Sequence, residues 1–221
     1  RVPLSLDELA TTYRRIAADR AFLPLALAGT LNFNALFVYV ASAPAFVLNL
    51  LKLDAQHFAW LFIPAIGGMV LGAFLSGRVA GKLSASATVR LGYTIMLAAS
   101  AINLVVALVL PEPRVPWSVL PIGLHAIGIG INFPTLTLLL LDRFPHHRGA
   151  VSSVQAFVSL VLSSILAGAI SPLVSGSALG LAWALGCLAS TLWFVARQQR
   201  FNRLLSRRRG RAFDTVEGQG P

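Results

Sequence analysis

At 221 residues, 56% hydrophobic and 12% charged, with a mean hydropathy of +0.75, the chain has too little polar surface to cover a soluble globule of its size. A net charge of +10 invites a nucleic-acid reading, but no aromatic stacking platform or base-reading motif accompanies the arginines. The lone cysteine, Cys187, excludes an internal disulfide or a cysteine-based metal site.

The first twenty residues read as an amphipathic linker. Ser5 and Glu8 form a capping box, and Leu6, Leu9, Tyr13, Ile16 and Ala17 recur at helical spacing, which predicts a short surface helix. The chain opens on Arg1 and runs from this helix straight into an apolar stretch, so it is expected to be the second part of a larger protein. Six stretches without Asp, Glu, Lys or Arg follow: 22–51, 58–76, 91–110, 117–141, 150–174 and 178–196. A helix needs about 20 apolar residues to cross a hydrocarbon core roughly 30 Å thick. One charge at its centre costs about 2.5–3.5 kcal/mol, and all charges here lie in ends and connections. The reading is an all-α integral membrane protein, a six-helix bundle over 21–196 with a basic tail over 197–221. The end of that tail is expected to be disordered.

All but two of the 18 Lys and Arg lie on the side of the chain termini, the exceptions being Lys52 and Arg114. This bias places both termini in the cytoplasm and explains the net charge as orientation and attraction to anionic lipid. Small residues mark close helix contacts: Gly68, Gly72 and Ser76; Ser152, Ala156, Ser159, Ser163 and Ala167; and Ala182, Gly186 and Ser190.

Polar residues in the spans are few and share faces. Asn32, Tyr39, Ser42 and Phe46 lie on one side of the first span, with Pro44 just beyond. His125 and Asn132 lie on one side of the fourth, and Gln155 sits near the start of the fifth. These seven residues are the candidates for a cavity at mid-depth, with helix-packing hydrogen bonds as the alternative for each. The spans hold no carboxylate, so any proton coupling needs an acid elsewhere. No nucleophile elbow, paired carboxylates, metal cluster or phosphate loop appears, so the chain reads as a non-enzyme without cofactor or metal.

Three segments carry a family resemblance. Residues 142–153, with Asp142, Phe144, Pro145, His146, Gly149, Ser152 and Ser153, resemble the loop between spans ten and eleven of Bcr/CflA-type drug exporters in the major facilitator superfamily. Residues 37–44 resemble the seventh span of those exporters, and Tyr13, Arg14 and Arg15 followed by Asp19, Arg20, Phe22 and Leu23 resemble their central linker. Residues 76–82, with Arg78, stand in the place of the superfamily's loop between spans eight and nine but lack its acidic residue. The resemblance implies spans seven to twelve of a twelve-helix exporter in a bacterial inner membrane: one half of a major facilitator fold, made of two inverted three-helix repeats. It also implies drug-like amphipathic substrates, protons as the exchanged partner, and an amino-terminal six-helix half that carries the coupling carboxylate. A self-assembling six-span channel or scaffold, or an intramembrane enzyme using His125, remain open alternatives at this point.

The charge pattern makes a topology testable. In a Cys187→Ala background, a cysteine replacing Pro113 should react with an impermeant thiol reagent on intact cells, whereas one replacing His147 should not. Labelling at position 147 from outside would overturn the orientation.

Overall fold

The computed structural model describes residues 6–19 and 21–197. Residues 1–5, Arg20 and the tail from residue 198 lie outside the described residues, and with them the expected capping box and disordered end. The elements are α1 (Leu6–Ala18), α2 (Phe22–Ala41), α3 (Ala59–Val79), α4 (Ala85–Val109), α5 (Leu120–Arg143), α6 (Arg148–Ile165), the short α7 (Ser171–Val174) and α8 (Ala178–Arg197). Among the described residues six helical stretches are long and apolar enough to cross a membrane, with α6 and α7 forming one of them. No strand occurs.

Local chemistry sets the ends. The Asp19 carboxylate accepts the N–H groups of Ala21 (2.7 Å) and Phe22 (3.2 Å), filling orphan donors at the start of α2. Ser84 does the same for α4 through Ala87 N–H at 3.2 Å. Pro44 lacks an N–H, and beyond it the first span widens into a π-helical turn over Ala45–Leu50, so this span is less regular than its uninterrupted apolar run suggests. A second π-helical turn, Leu166–Ile170, divides the fifth span just before Pro172. The fourth span begins at Leu120 because 117–119 form a turn rather than helix.

The main neighbours are α3 with α5, α4 with α5, α4 with α8, and α2 with α5, α6 and α8. Exchanging α2, α3 and α4 for α5, α6 and α8 maps these pairs onto one another. Since each set holds three alternating helices, the second set is inverted relative to the first. This is the arrangement of half a major facilitator fold.

The α3–α5 seam depends on missing side chains. A Cβ on Gly68 would run into the Gly123 carbonyl, one on Gly72 into that of Ile127, and one on Gly130 into that of Met69. Gly68, Gly72 and Ser76 are buried as the small-residue pattern predicts, and Ser76 Oγ donates to Ile131 O at 3.0 Å. The stripe on α8 behaves differently. Ala182 is buried, but a Cβ on Gly186 meets open space, and Gly186 and Ser190 line a surface groove of about 420 Å³ against α4.

The seam gives a paired test. Gly72→Val should lower the thermal unfolding midpoint in detergent markedly, since overpacking a tight contact costs about 1–3 kcal/mol. Gly67→Ala, whose Cβ meets nothing within 4 Å, should leave it level or raise it, because alanine is the better helix former. Equal midpoints for the two variants would refute the close-contact account.

Candidate substrate cleft

The seven cavity candidates are distributed over several places. Asn32 and Asn132 are fully buried where α2, α4 and α5 meet. Asn32 Nδ2 donates to Ile129 O at 3.2 Å. The Asn132 amide has two orientations. In one, Nδ2 faces Asn32 Oδ1 at 3.4 Å; in the other it donates to the carbonyls of Thr88 and Val89, both at 3.2 Å, while Oδ1 accepts from Tyr93 N–H at 3.3 Å. The second satisfies more groups and is the one we adopt. Gly92 makes it possible, since any Cβ there would strike the Asn132 amide.

His125 is fully buried on α5 with Nδ1 3.1 Å from Ser100 Oγ and 3.2 Å from Met96 O. A carbonyl only accepts, and Ser100 already donates to that same carbonyl at 2.8 Å, so Nδ1 carries the hydrogen. Nε2 has no partner among the described residues. Tyr39 accepts from Asn103 Nδ2 at 2.7 Å and meets Phe46 edge-on at 5.2 Å between ring centroids. Ser42 pairs with Ser171 at 2.7 Å. These groups face neighbouring helices, and the structure does not bring them together around one cavity.

A cleft of about 450 Å³ opens elsewhere, between α2, α5 and α6. Gln155 and Ser152 line it, together with Thr30, Asn34, Thr137, Ser159 and Ser163 among polar groups and Phe33, Phe133, Leu136 and Leu140 among apolar ones. An apolar wall with a few convergent polar groups suits an amphipathic small molecule. The wall is built on a ladder between two parallel helices. Gln155 Nε2 donates to Ala26 O (3.1 Å), Thr30 meets Ser159 (2.9 Å), Ser163 donates to Asn34 Oδ1 (2.8 Å), and Ser42 meets Ser171, each pair 129 positions apart. Thr30 and Asn34 carried a signal that polarity alone does not show: they lie four apart, matching the four-residue spacing of the α6 serine stripe.

The loop motif works as a clamp. Asp19 takes a two-pronged contact from Arg143, with Nη2 to Oδ2 at 3.0 Å and Nε to Oδ1 at 3.1 Å. Arg148 pairs with Asp142 at 3.1 Å, and Phe144 meets Phe22 edge-on at 6.2 Å. Both arginines, read from sequence as contacts to the lipid surface, are thus engaged within the protein. Pro145, His146 and Gly149 are exposed, and Ser152 and Ser153 donate to carbonyls one turn back in their own helix, at 3.0 and 3.1 Å. Arg78 is exposed and stacks over Phe74 of its own helix. On the opposite face Lys52 bridges to Glu112 at 2.9 Å, which holds that carboxyl below its usual range. Partial burial pushes the Asp19 carboxyl up, but Arg143 and the N–H groups of Ala21 and Phe22 outweigh it and hold the group below its ordinary value.

A six-span bundle of two inverted helix triplets, with a mixed apolar and polar cleft between three of its helices, is the architecture of one half of a facilitator-type transporter. Residues 2–168 match the Major Facilitator Superfamily, and the chain belongs to that family; its members are transporters and not enzymes. It is 27% identical over 164 residues to "Multidrug resistance protein MdtM" of Escherichia coli (strain K12), covering 74% of this chain and 40% of the relative. It is 26% identical over 162 residues to "Multidrug transporter MdfA" of Edwardsiella piscicida, covering 73% and 39%. It is 26% identical over 176 residues to "Uncharacterized MFS-type transporter YdgK" of Bacillus subtilis (strain 168), covering 79% and 42%. The chain thus spans about two-fifths of the length of these relatives.

The clamp sets a pH dependence. A carboxyl held below its ordinary value adds stability above that value and loses it only as pH falls through the lowered one. The difference in unfolding midpoint between the native chain and Asp19→Asn should therefore be constant from about pH 5 upward and close only below the ordinary 3.8. A difference that closes between about pH 5 and 7 would contradict this pairing.

Proposed function

We propose that the chain is the carboxy-terminal half of a Bcr/CflA-type exporter that moves drug-like amphipathic molecules out of the cell in exchange for protons. The observation that carries the reading is the α2–α5–α6 cleft, whose size and mixed lining suit such compounds. The similarity to multidrug proteins supports the substrate class. The cleft forms this half's wall of a central cavity, and an amino-terminal six-helix half supplies the other wall. α3 and α6 fit that arrangement: Ile66, Val70 and Phe74 on one and Phe157, Leu160 and Ile165 on the other are exposed, so each helix keeps a face for lipid or a second half. The charge-free stretches of the spans contain no carboxylate, Asp142 lying at the rim end of α5, so the proton-coupling acid belongs to the amino-terminal half. Both termini lie on the cytoplasmic side of a bacterial inner membrane.

In this reading Gln155, Asn34 and Phe133 set drug preference, whereas Asn32, Asn132, Tyr39 and His125 hold helices together. With the chain joined to an amino-terminal half, Gln155→Ala and Phe133→Ala should change resistance unequally among chemically distinct drugs at normal protein level. Asn132→Ala should lower abundance and weaken all drugs alike; the average worth of such a hydrogen bond in lipid is about 0.6 kcal/mol, so the loss is modest. A flat profile for both cleft variants would remove the cleft from the transport path. Resistance conferred by residues 1–221 alone and abolished by an uncoupler would refute the half-exporter reading in favour of a self-assembling protein.

A further inference from the structure

Away from the cleft, the end of the bundle that carries Lys52 and Glu112 holds a small, partly open void between Tyr39, Phe46, Asn103, Ser118 and Ala178. Four parts of the chain meet there: the first span as it enters its π-helical turn, the end of α4, the connection before α5, and the start of α8. Its volume is about 10 Å³, which is room for one water molecule and little else.

The polar groups around the void are incompletely paired. Tyr39, Asn103 and Ser118 are all more than nine-tenths buried. The 2.7 Å contact between Tyr39 and Asn103 can be satisfied with either orientation of the amide. With Nδ2 toward Tyr39, the tyrosine hydrogen and Asn103 Oδ1 are left over; with the amide turned, both Asn103 N–H groups are left over. Ser118 Oγ accepts from Arg114 N–H at 3.1 Å, which leaves its own hydrogen to place. Burying such groups unpaired costs about 1–3 kcal/mol each. A water offers two donors and two acceptors and complements either arrangement, whereas no charged side chain lines the void to hold an ion.

We propose that this void is a binding site for one structural water that bridges Tyr39 and Asn103 to Ser118. The water ties the connection before α5 to the first and third spans, and Phe46 covers it from the side of the π-helical turn. Tyr39 is then a bridging residue of the bundle end and has no contact with a transported molecule.

Tyr39 and Ser118 make no direct hydrogen bond to each other, so a shared water is what couples them. In the full chain in detergent, Tyr39→Phe and Ser118→Ala should each lower the unfolding midpoint. The double variant should fall by clearly less than the sum of the two shifts, because the second substitution removes a bridge already broken. A high-resolution map of the unmutated chain should show one ordered water within hydrogen-bond distance of Tyr39 Oη and Ser118 Oγ. Additive shifts, or a void filled by a moved side chain in that map, would overturn the proposal. If Tyr39→Phe fails to accumulate, the map of the unmutated chain decides alone.

Discussion

Inside a bilayer no water is at hand to pair a polar group and lipid tails give helices no hydrophobic reason to associate, so contact must come from close fit and shared hydrogen bonds. The structure meets this demand through α5. Glycines at 68, 72, 123 and 130 let α3 lie against it backbone to backbone, while Gly92 and Gly128 do the same on the α4 side. With α5 fixed between two helices, Asn132 can reach the α4 backbone, Asn32 can reach Ile129, and His125 can rest on Met96 and Ser100. The buried polar side chains are thus consequences of the glycine seam, which sets the distances they span.

The inverted repeat makes the α2–α6 contact the counterpart of α3–α5, yet the two are built from different chemistry. α3–α5 is closed by glycine and has no room for solvent or ligand. α2–α6 is held by side chains spaced four apart in constant register, and the cleft lies along them. A hydroxyl pair exchanges its partner for water or a ligand group at small cost, whereas a backbone contact closed by glycine has nothing to exchange. One member of the symmetric pair is therefore a fixed seam and the other an adaptable wall.

The spans were legible because apolar length and charge exclusion are one-dimensional properties, and the six stretches fall on six helices, although the first helix ends at Ala41, ten residues short of its stretch, and the third begins at Ala85, six residues before its stretch. The Gly68, Gly72 and Ser76 stripe was also legible, since spacing alone places those residues on one face. What spacing could not supply was the partner. Asn32 and Asn132 share faces with other polar groups, but whether a face meets a cavity or a neighbouring helix depends on glycines of a different helix, such as Gly92. The same limit hid Thr30 and Asn34, whose importance comes from the serines 129 positions later. Arg143 reads as a lipid contact until Asp19, 124 positions earlier, is seen beside it.

Charge placement follows the same logic as packing. The ion pairs Asp19–Arg143, Asp142–Arg148 and Lys52–Glu112 all lie at the rims, where solvent lowers the cost of charge, and the cleft wall is neutral throughout. A neutral wall discriminates by shape and by hydrogen-bond direction, and it cannot compensate a formal charge on a guest. On the exporter reading, this half sorts compounds by fit along the hydroxyl ladder while charge compensation and proton binding fall to the other half. In the proposed exporter, tasks divided in this way would let the cleft side chains vary without disturbing the titrating group, since no residue on this wall is ionisable.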